Sequence, residues 1–159
     1  MTTPQRAPAL PSGLTHRETM IVAAGHTVPR VAPQWPGFVD MPPVFATAMM
    51  IGFIEQTCIT ALRPYLSDGQ RTVGTHVDVG HVAATPEGMA VTATVTLVEV
   101  DGRNLRFDVS CHDESGLIGA GTHRRAVVDF DTFMRRVADK TAHSRAPAVR
   151  IVRDGTDQS

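Results

Sequence analysis

The sequence predicts an α+β fold in which one long buried helix is wrapped by a curved antiparallel sheet of about five strands. Three observations carry that expectation. Residues 44–62 are apolar on nearly every side of a helical wheel, which marks a helix surrounded by protein. Four consecutive segments after it alternate apolar and polar residues with period two. The joints between those segments hold turn residues, Thr85-Pro86-Glu87-Gly88 and Asp101-Gly102 among them.

The elements follow in order. Residues 1–13 are polar and Pro-rich and read as a disordered leader without an apolar signal segment, so the cytoplasm is the expected compartment. Arg17–Val28 reads as a first strand, followed by a loop punctuated by Pro29, Pro33, Pro36 and Gly37. Pro42 and Pro43 suit the first turn of the long helix, and Pro64 marks its end. Along it Ala46, Met50, Phe53, Thr57 and Ala61 share one side, and Ile51, Cys58 and Leu62 the opposite one. The strands are expected at Thr72–Ala84, Met89–Val100, Arg103–His112 and Leu117–Asp129, with Met89, Val91, Ala93, Val95 and Leu97 sharing one face of the second and Leu105, Phe107, Val109 and Cys111 facing inward on the third. Asp131–Lys140 is a short amphipathic helix, and 141–159 reads as a flexible tail. The domain therefore spans 14–140. One helix wrapped by one sheet is the hotdog architecture. A single sheet covers only part of a helix that is apolar all round, so a homodimer is expected.

Composition sets further bounds. The 159 residues suit one domain, with 42% hydrophobic and 19% charged side chains. A net charge of −1 argues against a nucleic-acid partner, which would need clustered cations. Val44–Leu62 has the length of a membrane span, but Glu55 and Gln56 near its middle argue against insertion. Cys58 and Cys111 lie in apolar-patterned segments and are expected as buried free thiols.

Function is sought where the pattern breaks. Glu55 is an ionisable group in a helix built for burial; it is either a structurally paired carboxylate or an acid with a task. His81 continues the apolar row of Val73, Val77 and Val79 as a core histidine or a catalyst, with His76 and His123 as its competitors. Thr47 lies near the start of the helix, where a hydroxyl can cap or react. Arg125 follows Gly119-Ala120-Gly121, a small run that lets a backbone or ligand approach, and is either ion-paired or functional. There is no phosphate-binding Gly-rich loop, zinc-spaced Cys/His set or G-x-S-x-G elbow.

The runs VFATAMMIGFIEQTCITALRPYL (44–66), VGTHVDVGHVAATPEGMAVTATV (73–95) and GAGTHRRAVV (119–128) together resemble the fluoroacetyl-CoA thioesterase family of hotdog proteins, over roughly residues 14–140. The resemblance implies hydrolysis of a small or short-chain acyl-CoA to free acid and CoA. It implies a catalytic set of Thr47 in F-A-T, Glu55 eight positions on, and His81 just before A-A-T-P-x-G. It also implies Gly74 and Arg125 at the acyl group and an aromatic lid ahead of the helix. Phe38 retains one lid position; the other is Met41, which lacks a phenyl ring's rigid face. A broader acyl range than fluoroacetyl is therefore expected.

Thr47, Glu55 and His81 are expected to form one hydrogen-bonded site, in which Thr47, an activated water or Glu55 itself attacks. Eight helical residues rise about 12 Å, so Thr47 and Glu55 of one regular helix cannot touch. Either Thr47 precedes the helix, or the site combines two subunits; the interface site is favoured. Gly74 would open backbone N–H groups to a substrate oxyanion. Arg103, Arg106 and Arg124 are available to the phosphates of CoA or form a solvated face. No metal or redox cofactor is implied, the CoA thioester being the substrate. A hotdog hydratase is the rival enzyme, though its Asp-x-Asn-Pro-x-His run is absent. A non-catalytic acyl-CoA-binding dimer is the rival outside catalysis.

Overall fold

The structure, a computed structural model, describes residues 9–144; the expected leader up to residue 8 and the tail from 145 lie outside the described residues. Five antiparallel strands form one sheet: β1 (Thr15–Ile21), β2 (Gln70–His81), β3 (Ala90–Asp101), β4 (Asn104–Asp113) and β5 (Gly116–Asp129), in the order β1-β3-β4-β5-β2. Four helices accompany it: two single turns, α1 (Val28–Val31) and α2 (Pro36–Val39), the long α3 (Thr47–Leu62) and the C-terminal α4 (Phe130–His143). This is the expected hotdog arrangement.

The core lies between α3 and the sheet. Val91, Ala93, Val95 and Leu97 of β3 and Leu105, Phe107, Val109 and Cys111 of β4 meet Met50, Ile54, Cys58 and Leu62 of α3, all buried. Strict alternation on β3 and β4 puts these residues on one face, as the sequence period requires. Leu10 also packs against this core, and the Gly13 N–H donates to the Leu97 carbonyl at 2.8 Å. Among the described residues the opposite line of α3 remains uncovered: Ala48, Gly52 and Gln56 are exposed, and Ile51 and Ile59 only half-buried. No helix among the described residues is long and apolar enough to cross a membrane.

Several expected boundaries move, each for a long-range reason. The first strand ends at Ile21, not Val28, because its partner β3 begins at Ala90, directly opposite Ile21. The chain then turns into a 3-10 turn at Ala24–His26. Pro42 and Pro43 lie ahead of α3 rather than in its first turn. Val44–Ala46 is held extended: Phe45 N–H donates to the Thr85 carbonyl at 2.8 Å, and Ala46 N–H to the His26 carbonyl at 2.9 Å. The helix therefore starts at Thr47, and Pro64 falls within a closing 3-10 turn.

Turn chemistry shifts as well. Asp101 pairs with Asn104, so the β3–β4 loop is Gly102-Arg103. Only Gly102 has a positive φ (56°), which makes the loop a Gly-X turn rather than an Asp-Gly one. The turn before β3 is Pro86–Met89, with Gly88 at its third position and φ 89°. The small run on β5 serves close packing, since a Cβ on Gly119 would meet the Gly80 carbonyl oxygen at 2.7 Å and Met50 Sδ at 2.8 Å.

Candidate active site

Two polar clusters interrupt the apolar layer, one at each end of the α3–β2 contact. At the first, Thr47 is the opening residue of α3 and His81 the last of β2, and their side chains meet with Oγ1 2.8 Å from Nδ1. The first turn of a helix leaves its hydroxyl unconstrained by a preceding turn, so Thr47 can spend it on the imidazole. His81 Nε2 is buried without a hydrogen-bond partner among the described residues. Burial lowers the His81 pKa below the usual imidazole value, with the Ala83 backbone opposing in part.

The second cluster gathers around Arg125. Arg125 is only 3% exposed, and a buried guanidinium must place its donors. Nε donates to Thr72 Oγ1 at 3.0 Å, Nη2 to the Thr72 carbonyl at 2.8 Å, and Nη1 to Glu55 Oε1 at 3.1 Å. The β2–β5 ladder sets Gly74 opposite Arg125. A Cβ on Gly74 would run into Glu55 Oε1 and lie 3.3 Å from His123 Cε1. The space that glycine leaves is therefore taken up by the Glu55 carboxylate. The Glu55 side chain keeps 38% of its surface exposed. Glu55 is thus a paired carboxylate that also reaches solvent.

The three residues expected to share one site are thus divided within one chain. Thr47 pairs with His81, while Glu55, about 12 Å further along α3, pairs with Arg125. Of the lid residues, Phe38 lies on α2, half-buried, with its ring edge-on to Trp35 at 5.1 Å. Met41 follows α2 and is 46% exposed. Arg106 is engaged by Glu99 at 2.9 Å; Arg103 and Arg124 are exposed. His76 is exposed. Burial pushes the Cys58 thiol up to about 12, which keeps it in the thiol form at neutral pH.

Thr72 and His123 are the members of the second cluster that sequence reasoning did not place. His123 is buried, with Nδ1 2.8 Å from the His76 carbonyl oxygen and Nε2 3.2 Å from Arg125 Nη1. Its two-residue spacing from Arg125 on β5 was the available signal, because it puts both side chains on one face. Burial lowers its pKa, the His76 carbonyl opposing and the Arg125 charge adding to the fall.

Gly74→Ala gives a clean separation of site from fold. The new methyl meets the end of a flexible, partly exposed side chain, so Glu55 gives way while the sheet stays. We expect loss of the Glu55–Arg125 contact, with stability reduced by roughly 1–3 kcal/mol, since Arg125 stays buried without its anion while keeping its bonds to Thr72 and His123. A crystal structure of the variant with Glu55 still on Arg125 would contradict this.

Comparison with known proteins supplies the family. The family model described as "FlK: Fluoroacetyl-CoA-specific thioesterase" matches residues 26–131. A fluoroacetyl-CoA thioesterase of Streptantibioticus cattleyicolor is 44% identical over 121 residues, 76% of this chain and 87% of that protein. A crystal structure of the fluoroacetyl-CoA thioesterase FlK superposes with a TM-score of 0.82 at 40% identity, covering 84% of this chain and 98% of that one. A phenylalanine-to-alanine variant of FlK in complex with fluoroacetate and CoA superposes with a TM-score of 0.76 at 41% identity, over 78% and 99% of the two chains. With a family model spanning well over half its length and a relative at this identity and coverage, the chain belongs to the fluoroacetyl-CoA-specific thioesterase family.

Proposed function

We propose that this chain hydrolyses small acyl-CoA thioesters to the free acid and CoA, with Thr47, His81 and Glu55 as its catalytic residues and Gly74, Arg125, Phe38 and Met41 around the acyl group. The observation that carries the reading is the 2.8 Å hydrogen bond between Thr47 Oγ1 and His81 Nδ1, in a chain of this family. A neutral imidazole at that distance can take the proton of the hydroxyl, or of a water in its place, as the thioester carbonyl is attacked. The same imidazole, once protonated, can deliver its proton to the departing thiolate; on the hydroxyl route a water, deprotonated by that imidazole, then cleaves the acyl-Thr47 ester, and the proton returns to Thr47 Oγ1 as the acid leaves.

Glu55 reaches that pair from a second copy of the chain. Among the described residues the outer edge of β2 has no strand beside it, and Val77 at its middle is 40% exposed. Two such edges pairing antiparallel about Val77 set residue 81 of one copy opposite residue 73 of the other, next to Gly74. Gly74 lies against the Glu55 carboxylate. The exposed line of α3 is covered by the same arrangement. An isologous dimer of this kind carries two equivalent sites. Exposed, flexible Met41 favours a range of small acyl groups over strict fluoroacetyl selectivity.

Release of free CoA from acetyl-, fluoroacetyl-, propionyl-, butyryl- and phenylacetyl-CoA tests the reading. Turnover of the small members supports it. Tight binding without release of CoA would identify an acyl-CoA-binding dimer instead.

The pH dependence follows from His81. Burial lowers its pKa, so the neutral base persists as the pH falls past the ordinary imidazole value of 6.5 and is lost only below it. Burial alone therefore sets the acid limb of kcat/KM below pH 6.5, and a Glu55 carboxylate brought to His81 in the dimer draws it upward, so the limb is expected to fall in Glu55→Gln. An acid limb that does not move in Glu55→Gln would contradict a carboxylate beside His81.

A further inference from the structure

Arg125 and Glu55 are held by a third group that the catalytic set leaves out. We infer that His123 is a positioning residue for hydrolysis: its neutral imidazole, protonated on Nδ1, takes one N–H of Arg125 Nη1 and so fixes where the Glu55 carboxylate is held. The inference rests on the reading that Glu55 takes part in the reaction.

The tautomer follows from the partners. The His76 carbonyl oxygen, 2.8 Å from Nδ1, can only accept, so Nδ1 carries the proton. The Arg125 Nη1, 3.2 Å from Nε2, can only donate, so Nε2 presents its lone pair. Nη1 has two N–H groups and two acceptors in reach, His123 Nε2 and Glu55 Oε1. With Nε and Nη2 both on Thr72, the guanidinium cannot rotate without losing a bond. At 1% exposure His123 has no water to replace either partner.

The consequence falls on the carboxylate. Its polar contacts among the described residues all involve Oε1, which leaves Oε2 for the reacting groups. A proton on His123 Nε2, an atom 3.8 Å from Glu55 Oε1, would face an Arg125 N–H. That arrangement would draw the carboxylate off the guanidinium and turn it. A histidine serving only to fill the core would have no such effect.

The test combines the wild-type protein with two variants. In ¹⁵N-histidine NMR at neutral pH, His123 is expected with Nδ1 protonated and Nε2 bare; the other tautomer, or an imidazolium, would overturn the inference. His123→Gln keeps an acceptor near the Nε2 position, whereas His123→Asn reaches only the His76 carbonyl. On the acyl-CoA that the wild type turns over fastest, His123→Asn should lose about tenfold or more in kcat with KM little changed, and His123→Gln should recover most of that loss, since misplacing a reacting group by about 1 Å costs up to roughly 100-fold. Equal losses in both variants, tracking their melting temperatures, would reduce His123 to packing. If neither variant folds, the wild-type tautomer decides. Wild-type turnover by Glu55→Gln would instead refute the role of Glu55, and it leaves the tautomer measurement unaffected.

Discussion

His81→Ala is expected to lower the rate of CoA release by about 10²–10⁴-fold, the usual contribution of a positioned general base. Thr47→Ala should fall in the same range if the hydroxyl attacks, and less if it only positions water. The loss should come with little change in folding. His81 is half-buried and makes one side-chain hydrogen bond, to Thr47, whose removal costs about 1 kcal/mol. A His81→Ala protein that melts near the wild-type temperature yet releases CoA at a wild-type rate would refute the mechanism. Combining the two substitutions should cost little more than the worse one, because the residues act as a unit.

Arg125→Ala should give the largest loss of stability. It strands the carbonyl of Thr72 and Nε2 of His123 in a buried layer and leaves Glu55 without its cation. Breaking a buried ion pair costs about 3–5 kcal/mol, but Glu55 can turn to water, so we expect roughly 2–4 kcal/mol. For a domain of this size that lowers the melting temperature by roughly 5–15 °C. Arg125→Lys should recover only a minor part, since one ammonium cannot replace a planar fork bound at Nε, Nη1 and Nη2. A lysine variant as stable as the wild type would show that charge alone, not the fork, holds the cluster.

Much of this architecture was legible because burial imposes a period. The alternation of Val91 to Leu97 and Leu105 to Cys111 named the inner face of the sheet residue by residue, and the all-round apolar helix named its centre. What local pattern could not supply were contacts between distant segments. Arg17–Val28 reads as one strand because its residues suit a strand, yet β3 offers no partner beyond Ala90. Pro42 and Pro43 look like a helix start because nothing in them reveals that Thr85 and His26 hold Phe45 and Ala46 extended.

The site divides in the same way. Glu55, His81, Thr47 and Arg125 each stood out by breaking a pattern, and the structure pairs Thr47 with His81 and Glu55 with Arg125. Their partners did not stand out, because pairing is a property of the folded chain. Thr72 is an ordinary strand threonine until the β2–β5 ladder brings it to Arg125. His123 carried a weak signal in its spacing from Arg125, overshadowed by the more conspicuous His81. Thr47 and Glu55 stay apart within a single chain for a reason legible in the sequence, the rise of the helix itself.

The central claim, that one copy supplies Thr47 and His81 while another supplies Glu55, is tested most directly by subunit complementation. His81→Ala and Glu55→Ala chains, each inactive alone, are co-expressed and the mixed dimer isolated. In a composite arrangement one of its two sites receives both substitutions and the other receives neither, so the mixed dimer should regain about half of the wild-type CoA release per dimer. A mixed dimer that forms and stays inactive would contradict the claim, because each chain would then hold one damaged site of its own.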